Sequence, residues 1–285
     1  MGSTLVRIVV SKYGKIDDEE IKRITETMQE CYSRLTPHDV SLVDLYLFER
    51  SSSVEAFFAK EYRKVGVASA PFDELFFAMH DAWRGIPRIT FCFEKMKKLQ
   101  RLVKIGGIRH EVGHSILHGN LRYYLLSFPP AFLEIADQFN LSFEYLTNLL
   151  YLVSLAVKDY EVTRFLHQRG YVEDQIAYAK HLTKVSEDDI RSWEISRGKP
   201  PAEALCLISC LKATGCVAPL LVDKEFGEEV RLRLMESLLY LPTDRSILLL
   251  KVIEEVFPSL GTDTTDNIDR TLRECRLIFK SVFNR

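Results

Sequence analysis

Residues 94–118 read EKMKKLQRLVKIGGIRHEVGHSILH, and the character of the chain changes there. Ahead of them, β-branched runs alternate with helical ones. From Glu94 onward the apolar spacing is helical. The run just before, Ile86 to Phe93, carries Ile, Thr and Phe and predicts a strand, with Pro87 pointing to a sheet edge. The pattern then predicts one helix from Glu94 to His118, stopped by Gly119. On that helix His110 and His114 stand one turn apart and face the same way, with Glu111 beside them. Two imidazoles so placed suit a zinc ion. A carboxylate held outside the ligand shell can act as general base on zinc-bound water.

Toward the N-terminus, residues 5–10 predict a strand, and Asp17-Asp18-Glu19-Glu20 opens a helix that runs to about Leu35 and ends at Pro37. Val40 to Phe48 predicts a second strand. Ser52 or Ser53 caps a helix through Lys64, and Leu75 to Met79 predicts a third strand. Together these give a small mixed sheet with helices over the first 95 residues. Toward the C-terminus, Pro129-Pro130 starts a short helix through Phe139. Asn140 or Ser142 caps a longer one to His167, with Leu146, Leu149, Leu150, Val153, Ala156, Val157 and Tyr160 as its apolar stripe and Gly170 as its stop. Beyond Tyr171 only helices are expected, over 173–183, 186–196, 201–213, 225–239, 245–256 and 265–282. The expected class is α+β, with domains at 1–170 and 171–285, the second all-helical.

The 285 residues can bury a core without disulfides. A net charge of -2 gives no overall attraction to nucleic acid or to anionic membrane, so neither is expected as a partner. The basic run Lys95, Lys97, Lys98, Arg101 and Lys104 reads as a solvated helix face, because no aromatic residues interleave it. Phe72, Phe76 and Phe77 read as core. The six cysteines form no Cys-x-x-Cys pair and read as buried thiols in a reducing compartment. Cys206, Cys210 and Cys216 are the minor candidates for a thiolate site. The longest apolar stretch, Leu146 to Val157, is too short to span a bilayer, and the N-terminus lacks a signal-peptide pattern. A soluble, cytoplasmic protein is expected. Ser115 has no nucleophile-elbow setting, and no phosphate-binding glycine loop occurs.

His110-Glu111-Val112-Gly113-His114, with His118 four residues on, resembles the active-site helix of zincin metallopeptidases. Its His-Glu-x-Gly-His form is similar to the branch of repressor-cleaving peptidases of mobile elements and related stress-response regulators. In the gluzincin group the third zinc ligand is an acid on a later helix. One surrounding pattern there is Glu-Tyr-x-Ala-Asp, as in the membrane-associated heat-shock and prenyl-protein peptidases. Asp159-Tyr160-Glu161-Val162-Thr163 resembles it position by position. The resemblance covers residues 88–168. It implies a zincin-like fold for the N-terminal part, a zinc cofactor, and Asp159 as the third ligand in place of the family's Glu. Asp is one methylene shorter, and Thr163 stands where the family has a charged carboxylate. Glu161, Glu134 and His118 are the rival ligands, and His167 or Tyr171 could hold the oxyanion. The strand Arg88 to Phe93 is the candidate for pairing with the substrate backbone.

The implied activity is zinc-dependent hydrolysis of peptide bonds, with His110, His114 and Asp159 on the metal and Glu111 as general base. The substrate would be a peptide or protein. The alternative is a zincin-like regulatory or interaction protein that binds metal without peptidase activity, and in either case the helical C-terminal region could take a protein partner.

Overall fold

Asp17 accepts a hydrogen bond from the Glu19 N–H and starts α1 (Asp18–Arg34), as the acidic run predicts. The computed structural model describes residues 5–64, 77–125 and 128–284. Leu75, Phe72 and Phe76 lie outside the described residues. The fold is α+β: a four-stranded mixed sheet near the N-terminus, then a mostly helical region.

The strands are β1 (Arg7–Tyr13), β2 (Leu42–Phe48), β3 (Ala78–Asp81) and β4 (Arg88–Cys92), in the order β1-β2-β4-β3. β1 and β2 are parallel, as are β2 and β4, while β3 runs antiparallel to β4. In β2, Val43, Leu45 and Leu47 are fully buried and alternate with half-buried Leu42, Asp44 and Tyr46. α2 (Ser51–Lys64) follows β2. β4 is buried along its whole length and pairs on both sides, so it is an inner strand and β3 is the edge. Pro87 suggested otherwise because it lacks an N–H. It precedes the paired segment and contributes its carbonyl, which accepts from the Asp44 N–H.

The expected single helix over 94–118 is two. α3 (Phe93–Met96) ends in a turn whose Gln100 is extended, and α4 (Arg101–Leu117) begins after it. The Glu94 carboxylate accepts from the Ser51 N–H and hydroxyl at the start of α2, and these bonds hold it below the usual carboxylate range. α3 is thereby tied to α2, although Lys97 to Gln100 are all good helix formers.

Seven of the remaining helices are α5 (Pro130–Phe139), α6 (Phe143–Gln168), α7 (Glu173–Leu182), α8 (Glu187–Ser196), α9 (Pro200–Gly215), α10 (Gly227–Ser237) and α11 (Thr243–Lys251), and α12 (Thr264–Phe283) is last. Ser142 caps α6 through the Tyr145 N–H. The chain divides into two compact units, one of residues 1–125 with 169–178 and the other of 126–168 with 179–285. Among the described residues no helix is long and apolar enough to cross a membrane.

Within the first unit, residues 169–178 are held by specific bonds. Tyr171 donates to Glu30, Gln175 donates to the Gly106 carbonyl, and Arg169 donates to the Thr36 carbonyl. Arg109 pairs with Glu30 and Asp174 while lying over the Tyr171 ring. This packing requires a glycine in α4. A Cβ on Gly106 would sit 2.2 Å from the Asp174 carbonyl oxygen and 2.8 Å from the Tyr178 Cβ. Overpacking costs about 1–3 kcal/mol, and a backbone clash belongs at the upper end. Alanine regains about 1 kcal/mol of helix propensity. Gly106→Ala is therefore expected to lower stability by about 1–2 kcal/mol in chemical denaturation, and a raised midpoint would contradict the close approach.

In the second unit α6 packs on α9 and α12. Its stretch from Ala156 to Thr163 is buried throughout and includes Lys158, Asp159 and Glu161. Buried charges need partners, and Glu161 has two of its own on α12, Thr264 and Asn267.

Candidate metal centre

α4 presents His110 and His114 as the spacing predicts, with ring centroids 4.8 Å apart. Their Nε2 atoms are 3.1 Å apart. Two nitrogens bound to a tetrahedral ion at about 2.05 Å lie about 3.3 Å from each other. The pair is thus spaced for one shared ion with almost no rearrangement. Two facing lone pairs repel at this distance, so a proton or a cation must lie between them.

One ligand atom from each of His110, His114 and Asp159 lies within 4.8 Å of the others, and all three residues are buried. His110 is 2 % exposed, Glu111 4 %, His114 9 % and Asp159 8 %. The group can hold a metal ion. Two neutral imidazoles and a carboxylate are a donor set suited to zinc. Burial pushes the neighbouring Lys158 ammonium down to about 8, against the pull of Asp159 and Glu161.

The rival ligands have hydrogen-bond or ion-pair partners of their own. Glu161 accepts from the Thr264 hydroxyl at 2.8 Å and from the Asn267 amide at 2.6 Å. Glu134 pairs with Arg273 and Arg276 on α12. His118 approaches His114, not the shared point, with the two Nδ1 atoms 3.2 Å apart. The two oxyanion candidates also have other partners: His167 bonds Asp223 at 2.8 Å, and Tyr171 donates to Glu30. Thr163 is buried, and its hydroxyl makes no hydrogen bond in the structure.

The helix carrying the histidines is tightly fixed. Ser115 donates to the Val112 carbonyl at 2.7 Å, which leaves its oxygen to accept from Tyr32 of α1 at 2.6 Å. Ser115 is therefore a packing residue. Phe77 is buried and packs edge-on to Tyr178, consistent with a core role. The six cysteines form no disulfide, and none belongs to a metal-binding group among the described residues. Cys210 instead bonds the Tyr240 hydroxyl.

Two site neighbours have no signature in the sequence. His80 on β3 stacks almost parallel on His114, with centroids 5.9 Å apart and planes at 8°. Tyr124 places its hydroxyl 2.8 Å from the His80 Nδ1. Both depend on how β3 packs beside α4, which no local pattern encodes. The chemistry of this centre rests on its own geometry, since comparison with protein families, curated proteins and solved structures gives no match in any of the three.

Proposed function

We propose that this chain is a zinc-dependent peptidase of zincin type. The observation that carries the proposal is the buried His110–His114–Asp159 group, whose two histidines stand on the helix that also bears Glu111. His110, His114 and Asp159 would hold a zinc ion, which would supply a Lewis acid for the scissile carbonyl and for the attacking water. Glu111 takes the proton of that water and later delivers it to the leaving amine. A purely structural zinc site has no use for such a base. β3 is the antiparallel edge of the sheet, and its His80 stacks on His114. A peptide in extended form is the substrate that such an edge accepts, as an added strand. β4, the earlier candidate for this role, is paired on both sides.

Metal analysis of the purified chain is expected to find about one zinc per molecule, as a site of this donor set holds one ion. Asp159→Ala is expected to weaken zinc binding by roughly 100-fold or more, since loss of a direct ligand exceeds the 10–100-fold cost of losing an outer partner. Glu161→Ala should leave zinc affinity unchanged and lower stability by about 1–3 kcal/mol, because Thr264 and Asn267 lose their acceptor. The reverse pattern would move the third ligand to Glu161. A peptide-library digest, with and without chelator, tests the activity itself. Zinc retained with no cleavage would leave a metal-binding protein that is not a peptidase.

A further inference from the structure

The two ring nitrogens of His114 face different histidines. Nε2 lies 3.1 Å from the His110 Nε2, and Nδ1 lies 3.2 Å from the His118 Nδ1. A neutral imidazole carries one proton, so a ring that offers Nε2 to a metal must hold its proton on Nδ1. That proton needs an acceptor when it is buried. The His118 Nδ1 is at the right distance to accept it.

The position of His118 follows from the end of α4. His118 is the C-cap, with φ -124° and ψ 17°, and its N–H donates to the His114 carbonyl at 2.7 Å. Its N–H still makes the helical bond, so it stands one turn beyond His114 on the same face, with the two ring centroids 5.4 Å apart. The ring is 1 % exposed and has Tyr123 edge-on at 5.2 Å. His80 covers the face of His114, so that ring too is held in its plane.

We infer that His118 is a positioning residue that fixes His114 in its metal-binding tautomer. The inference rests on the zinc site proposed above and adds an outer partner to it. Partners of this kind typically change metal affinity 10–100-fold.

The test is zinc affinity of the full chain, measured by competition with a chromogenic chelator, together with the tautomer of His114 read from its imidazole nitrogen shifts. His118→Phe keeps a ring against Tyr123 but removes the acceptor. It is expected to weaken zinc binding by roughly 10–100-fold and to move the metal-free His114 ring toward the Nε2–H form. His118→Gln, whose amide oxygen can accept, is expected to recover much of the affinity. Should His118→Phe fail to fold, His118→Asn, too short to reach Nδ1, takes its place with the same expectation. Zinc bound equally well by His118→Phe, or as poorly by His118→Gln as by His118→Phe, overturns the inference while leaving the site intact. A wild-type chain that binds no zinc overturns the site reading itself.

Discussion

Glu111→Gln is expected to lower the turnover number for peptide hydrolysis by about 10²–10⁴-fold, the usual contribution of a positioned general base. Glutamine keeps the shape of the side chain, so the buried surroundings of residue 111 change little. What it loses is the carboxylate proposed to take a proton from the attacking water and return it to the amine. His110, His114 and Asp159 are untouched, so zinc content should match that of the wild type. The effect should fall on kcat, with KM nearly constant, because the interaction lost belongs to the transition state. Single-turnover measurements place the loss in the chemical step. Equal cleavage by both proteins at equal zinc content would remove Glu111 from the mechanism. Equal loss of zinc and activity would make it a contributor to the site's integrity instead.

The readability of this chain depends on how local each feature is. His110 and His114 are related by a single helical turn, so their convergence follows from α4 alone. The strands and most helices were readable for the same reason. Alternation in β2, the acidic start of α1, the serine cap of α6 and the prolines opening α5 all act within a few residues. The choice between Asp159 and Glu161 is different. Both lie on α6, and what separates them is α12, whose Thr264 and Asn267 come from 103 and 106 residues later to satisfy Glu161. The break between α3 and α4 comes from Glu94 bonding Ser51, and the inner position of β4 from β3 folding back along it. His118 shows both sides. Its spacing places it one turn beyond His114 on the same face, but that its Nδ1 meets the Nδ1 of His114 is seen only in the structure.

Arg245→Met is expected to destabilise the second unit by about 3–5 kcal/mol, the cost of breaking a buried pair from one side. Arg245 on α11 is 0 % exposed, and Glu203 on α9 is 2 % exposed. The Nε and Nη2 of Arg245 reach one Glu203 oxygen at 2.8 and 2.7 Å, and its Nη1 donates to the carbonyl and hydroxyl of Ser281 on α12. One guanidinium thus joins three helices. Removing it leaves the Glu203 carboxylate charged and buried, with the Gly198 N–H as its remaining partner in this set. In domains stable by about 5–15 kcal/mol, a loss of that size is a large share of the whole. The physical origin can be separated by a double change. Arg245→Met with Glu203→Leu removes both charges, and replacing a buried pair with apolar groups is often neutral or stabilising. The double variant should therefore recover most of the loss, short by about 1–2 kcal/mol for the hydrogen bonds that Ser281 and the Gly198 N–H lose. Denaturant midpoints of the wild type, the two single variants and the double variant close the cycle. If the double variant is as unstable as the sum of the single ones, Arg245 acts through packing and Ser281, and its pairing with Glu203 contributes nothing of its own.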